Sequence, residues 1–80
     1  MILPIQKILD LGFKQVQPRY KESEFSYNWH KLVKNDCSID ITTEYDLNNK
    51  VKLQYIEFNG EKLKGDSIGE DELKFLINLM

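Results

Sequence analysis

The hydrophobic positions change period along this chain. They are helical at the start, alternating through the middle and helical again at the end. Pro4 suits a first helical turn, and Ile5, Ile8 and Leu9 follow at helical spacing with Leu11 beside them. Gly12 is a natural residue to close that helix, and Phe13 can fold back onto its last turn. The spacing predicts a short helix over 4–11. Residues 13–17 can form a short strand that Pro18 ends, and the polar run from Arg19 to Glu24 reads as a loop. Phe25, Tyr27, Trp29 and Val33 then alternate with polar neighbours, with Lys31 interrupting the aromatic face. Cys37, Ile39, Ile41, Thr43 and Tyr45 alternate with Ser38, Asp40, Thr42, Glu44 and Asp46, the most regular strand pattern in the chain.

Register follows from how the turns are read. Asn59-Gly60, between strand-like runs, marks a two-residue hairpin turn that pairs Phe58 with Glu61 and Glu57 with Lys62. At 34–36 a three-residue loop sets Val33 against Cys37, Trp29 against Ile41 and Phe25 against Tyr45. A two-residue Asn35-Asp36 turn would instead place Trp29 opposite Thr42; the hydrophobic pattern favours the longer loop. At 47–49 a three-residue loop sets Asp46 against Lys50, Tyr45 against Val51, Glu44 against Lys52 and Thr43 against Leu53. Val51, Leu53 and Tyr55 have one parity and Ile56 and Phe58 the other. A β-bulge near Tyr55-Ile56 resolves this, the alternative being a sheet end buried on both faces. After Gly65-Asp66-Ser67, Ile68 and Leu73 are spaced as a hydrophobic staple around Gly69. Glu70, Asp71 and Glu72 favour a helix start, and Leu73, Leu76, Ile77 and Met80 form its apolar stripe.

These elements predict an α+β fold of one domain spanning 1–80. It has two layers: an antiparallel β-meander of four strands, five with 13–17, and N- and C-terminal helices packed on one face. The expected core is Ile5, Ile8, Leu9, Phe25, Tyr27, Trp29, Ile39, Ile41, Leu53, Phe58, Leu73, Leu76 and Ile77.

At 80 residues the chain buries roughly 60% of its unfolded surface, enough for one modest core. The net charge of −2 argues against nucleic-acid domains, which carry a basic excess. The single Cys37 excludes an intrachain disulfide and fits a reducing cytoplasm. The first residues lack the pattern of a signal peptide, and no apolar run is long enough to span a membrane.

Candidate chemistry is sparse. His30 and Asp40 fall opposite each other on the expected outer face, but no nucleophile is fixed beside them. Asp36, Asp40, Glu44 and Asp46 lie along an extended strand, without the spacing or glycine of a calcium loop. Lys31, Lys34, Lys50, Lys52, Lys62 and Lys64 recur on neighbouring strands and suggest nucleic-acid binding as the alternative function, although acidic residues are interleaved. No phosphate loop, nucleophile elbow or zinc spacing occurs, so neither an enzyme nor a cofactor is expected.

The expected function is therefore a small non-enzymatic protein–protein interaction module. Its candidate site is the sheet face that the helices leave open, expected to carry Asn28, His30, Leu32, Asp40, Thr42, Glu44, Lys52 and Gln54. A homodimer could cover that face as readily as a foreign protein. The C-terminal half, through Asn59-Gly60, Leu63, Gly65, the acidic helix start and the Leu76-Ile77…Met80 ending, resembles small uncharacterised proteins of phages and mobile elements of Bacteroidetes bacteria. The resemblance implies a cytoplasmic protein that acts on a host factor, and it carries over no active-site residue.

Overall fold

The computed structural model describes residues 3–63 and 69–80. The elements run α1 (Ile5–Asp10), β1 (Lys14–Gln15), β2 (Tyr20–Lys21), β3 (Ser26–Lys34), β4 (Cys37–Tyr45), β5 (Val51–Phe58), β6 (Glu61–Lys62) and α2 (Glu70–Leu79). The expected exit through Gly65-Asp66-Ser67, the Ile68 staple and Lys64 lie outside the described residues.

All strand pairs are antiparallel, and β3 to β6 form the expected meander. Two short strands share the free edge of β3: β1 pairs at Lys31 and His30, and β2 pairs at Tyr27 and Ser26. β2 lies in the stretch read as a loop. The fold is α+β, with both helices on one face: Ile8 from α1 and Leu73 and Met80 at α2 share one core with Phe13, Ile39, Ile41 and Ile56. Leu3 completes this core.

Local chemistry accounts for the helix ends. Pro4 is extended and caps α1, while Gly12 at φ +101° takes the left-handed exit that lets the Phe13 N–H reach Ile8 O. In α2 the Glu72 carboxylate accepts the Gly69 N–H at 3.0 Å, closing the first turn, and Glu70 pairs with Lys74 at 3.2 Å.

Two turns match their chemistry as read. Asn59 and Gly60 both have positive φ, and Glu57 pairs with Lys62 and Phe58 with Glu61. Asn49 takes the left-handed position of the 47–49 loop, while Asp46 Oδ1 turns back to accept the N–H groups of Asn48 and Lys50.

The β3–β4 turn corrects the reading. Asn35 (φ 50°) and Asp36 (φ 64°) are both left-handed, a two-residue turn that pairs Lys34 with Cys37. Trp29 therefore opposes Thr42, and every residue of β3 moves to the face opposite the one expected. Phe25, Tyr27 and Trp29 leave the core, while His30 at 1% exposure enters it and Leu32 packs against it. The bulge is also displaced. It falls at Lys52, because Tyr45 pairs with Val51 and Glu44 with Leu53. That shift puts Ile56 and Phe58 on the helix side and Leu53 and Tyr55 on the other. Leu9 and Leu53, both expected in the core, are exposed.

Candidate functional site

The face without helices is built by register. In one cross-strand row Trp29 of β3 stands opposite Thr42 of β4, which stands opposite Tyr55 of β5. Neighbouring strands are about 4.8 Å apart, so Trp29 and Tyr55 rise from columns about 10 Å apart with the short Thr42 as floor between them. In the next row toward the chain's tight turns, Lys14, Lys31, Asp40, Glu57 and Lys62 follow one another across five strands. On the other side, the row is Tyr20, Tyr27, Glu44 and Leu53. The result is a shallow depression of about 510 Å³ lined by the Phe25, Tyr27, Trp29 and Tyr55 rings and by Asp40, Glu44 and Glu57 around Thr42.

The aromatic rings are mutually ordered. Tyr20 and Tyr27 have centroids 5.0 Å apart, and Phe25 and Tyr27 6.4 Å apart. Tyr20 Oη donates to Glu22 at 2.6 Å, and this bond raises the phenol above its ordinary value.

The charges have a definite layout. Lys14, Lys31 and Lys62 flank Asp40 and Glu57, which hold the inner columns of that row. Lys31 Nζ lies 3.9 Å from Asp40 Oδ1, beyond hydrogen-bonding distance, and that buried oxygen accepts no hydrogen bond among the described residues. Lys62 stands opposite Glu57 but lies over the Tyr55 ring at 4.8 Å, and Lys31 lies 6.0 Å from the Trp29 ring. Carboxylates thus line the centre, and ammonium groups sit at the margins.

The structure divides the residues expected on the open face. Asp40, Thr42 and Glu44 are there. Asn28, His30, Leu32 and Gln54 are on the helix side, paired across strands with Thr43, Ile41, Ile39 and Thr43 respectively. Lys52 is the bulged residue and exposed. The expected His30–Asp40 pair does not exist: Asp40 opposes Lys31, and His30 is enclosed on the other face. Neither ring nitrogen of His30 finds a hydrogen-bond partner among the described residues, and burial lowers its pKa below the ordinary 6.5.

Sequence reasoning missed Phe25, Tyr27, Trp29, Tyr55 and Glu57 as site residues because alternation reads an aromatic set as core. The signal that could have found them is Asn35-Asp36, two adjacent residues that both tolerate the left-handed region. Among the described residues no group of three or more His, Cys, Asp or Glu could hold a metal ion, and no helix is long and apolar enough to cross a membrane. No protein-family model, no curated protein and no solved structure matches the chain.

Proposed function

We propose that this protein is a small, non-enzymatic protein–protein interaction module that docks its partner on the helix-free face of the sheet. The observation that carries the reading is the position of Trp29 and Tyr55 on either side of Thr42, with Tyr27 and Phe25 adjacent, on a face that no helix covers. Aromatic side chains concentrate at protein interfaces because they bury much area at little entropic cost. A nucleic-acid strand would also stack on these rings, but its phosphates would meet Asp40, Glu44 and Glu57 at the centre of the site. The resemblance of the C-terminal half to phage and mobile-element proteins supplies the setting: a cytoplasmic partner belonging to a bacterial host.

The test is site-directed crosslinking in host lysate. A photoreactive phenylalanine analogue at Tyr27 should crosslink a discrete protein, and Trp29→Ser should abolish that product while the protein stays folded. The same analogue at Leu79, exposed on α2, should not produce it. Equal products from both positions, insensitive to Trp29→Ser, would remove this face as the docking site.

A further inference from the structure

We infer that the occupant of the Trp29–Thr42–Tyr55 slot is an arginine side chain of a basic partner segment. The inference rests on the docking reading above and adds the chemistry of the partner.

Three observations lead to it. The slot is flanked by two aromatic columns about 10 Å apart, with the short Thr42 between them, so it presents aromatic surface on both sides of one depression. Its ends are carboxylates: Glu57 and Asp40 in one neighbouring row, Glu44 in the other. Among the described residues, Glu44 and Glu57 form no ion pair with this chain, and Asp40 has only the 3.9 Å approach of Lys31. The site therefore offers carboxylates without a bonded cation beside two rings that this chain's own Lys31 and Lys62 approach only at 6.0 and 4.8 Å from the ring centres. A guanidinium satisfies both, since it stacks on aromatic faces and donates in the plane to carboxylates. An ammonium is bulkier in its hydration and donates without a plane, so lysine is the poorer fit. The chain already shows the geometry elsewhere, where Arg19 lies 3.9 Å over the Tyr45 ring.

A second copy of the chain fits less well. Arg19 is the chain's one arginine, and its guanidinium is held by Ser26 Oγ at 2.7 Å and by Asn49, so it is committed within its own fold. Two such faces laid together would also bring carboxylates toward carboxylates near the symmetry axis.

Trp29 is the only tryptophan, so its emission reports on the slot directly. The probes are three capped peptides, Gly-Ser-Arg-Gly-Arg-Ser-Gly and its lysine and glutamate counterparts, together with oligothymidylate. The arginine peptide should change Trp29 emission saturably, the lysine peptide should bind several-fold more weakly and the glutamate peptide not at all. Glu44→Gln and Glu57→Gln should each weaken arginine-peptide binding about twofold to fivefold, as expected of a partly exposed ion pair. Tyr55→Leu should weaken it about fivefold, the scale of one cation–π contact.

Equal response to the arginine and glutamate peptides, indifference to both carboxylate changes, or preference for oligothymidylate would overturn the assignment. So would a concentration-dependent change in Trp29 emission, without peptide, accompanied by a doubled mass. Failure here with retained crosslinking at Tyr27 refutes the arginine while leaving the docking face; loss of crosslinking refutes the docking reading itself.

Discussion

Gln54 holds Leu3 by both ends of its side-chain amide. The Leu3 N–H donates to Gln54 Oε1 at 2.9 Å, and Gln54 Nε2 donates to Leu3 O at 3.1 Å. The same Nε2 also reaches Thr43 Oγ1 at 2.9 Å. The amide thus supplies Leu3 with the donor and acceptor that a neighbouring strand would provide, and it fixes the entry into α1 over the core.

Gln54→Ala should therefore destabilise the fold although it removes little apolar contact. It leaves the backbone of Leu3 unpaired in partly buried surroundings, at a cost of about 2 kcal/mol. Urea unfolding should show a lower midpoint with an unchanged slope, and Trp29 on the far side of the sheet should keep its native emission.

The turn between β3 and β4 makes a prediction of opposite sign. Asp36 has φ 64°, a conformation that costs an ordinary L-residue about 1 kcal/mol and costs glycine nothing comparable. Asp36→Gly creates the preferred residue pair for this turn and should stabilise by about 0.5–1 kcal/mol, measured as a raised thermal midpoint. A loss of stability would mean that the Asp36 side chain makes a contact outweighing its backbone strain.

Trp29 and Ile41 provide a test of which face is the core. Ile41 is fully enclosed, and Ile41→Ala should cost roughly 2–5 kcal/mol. Trp29→Ala should cost only about 1 kcal/mol, because its ring is half-buried against neighbours on the open face. Thermal melts of the two variants side by side decide it, and reversal of the order would put Trp29 back inside.

Stability should fall on mild acidification because of His30. Burial holds its folded pKa below 6.5, so the unfolded chain takes up a proton that the folded one refuses. The associated stability is fully present above pH 6.5. It declines as pH drops below that value and stops changing once pH passes the lowered folded pKa. His30→Leu replaces a ring whose two nitrogens lack partners among the described residues, and should be neutral or stabilising at pH 7.5. It should also flatten the decline, read as the difference in urea midpoint between pH 7.5 and pH 5.5.

Much of the fold was legible because local chemistry and the hydrophobic pattern agree in most places. Pro4 and Gly12 bound α1, Asn59-Gly60 fixes the last hairpin, and α2 follows its acidic start. The sheet failed to read correctly where the two signals disagree. At Asn35-Asp36 the turn chemistry asks for two residues and the aromatic alternation asks for three; the backbone took the two-residue turn. One residue of slip exchanges the faces of β3 completely, which is why half of the expected site residues lie under the helices. The bulge at Lys52 was misplaced for a related reason. Parity shows that β5 must change faces once, but does not say at which residue. The aromatic face was hidden in the sequence because an aromatic stripe on an open face alternates in the same way as one in the interior.

The tip of the β3–β4 hairpin also reaches the far end of the chain. Lys34 Nζ donates to Ile77 O at 3.2 Å, and Asn35 Nδ2 to Met80 O at 2.9 Å. A helix of ten residues cannot sustain itself in water, whereas a hairpin between adjacent strands needs only a short loop closure. The acceptors at the end of α2 find their donors only after the hairpin has turned. The hairpin tip and the closing turn of α2 are thereby tied to each other, so loosening one should loosen the other. Amide exchange in the closing turn of α2 should consequently be governed by opening of the hairpin tip, 43 or more residues earlier in the sequence.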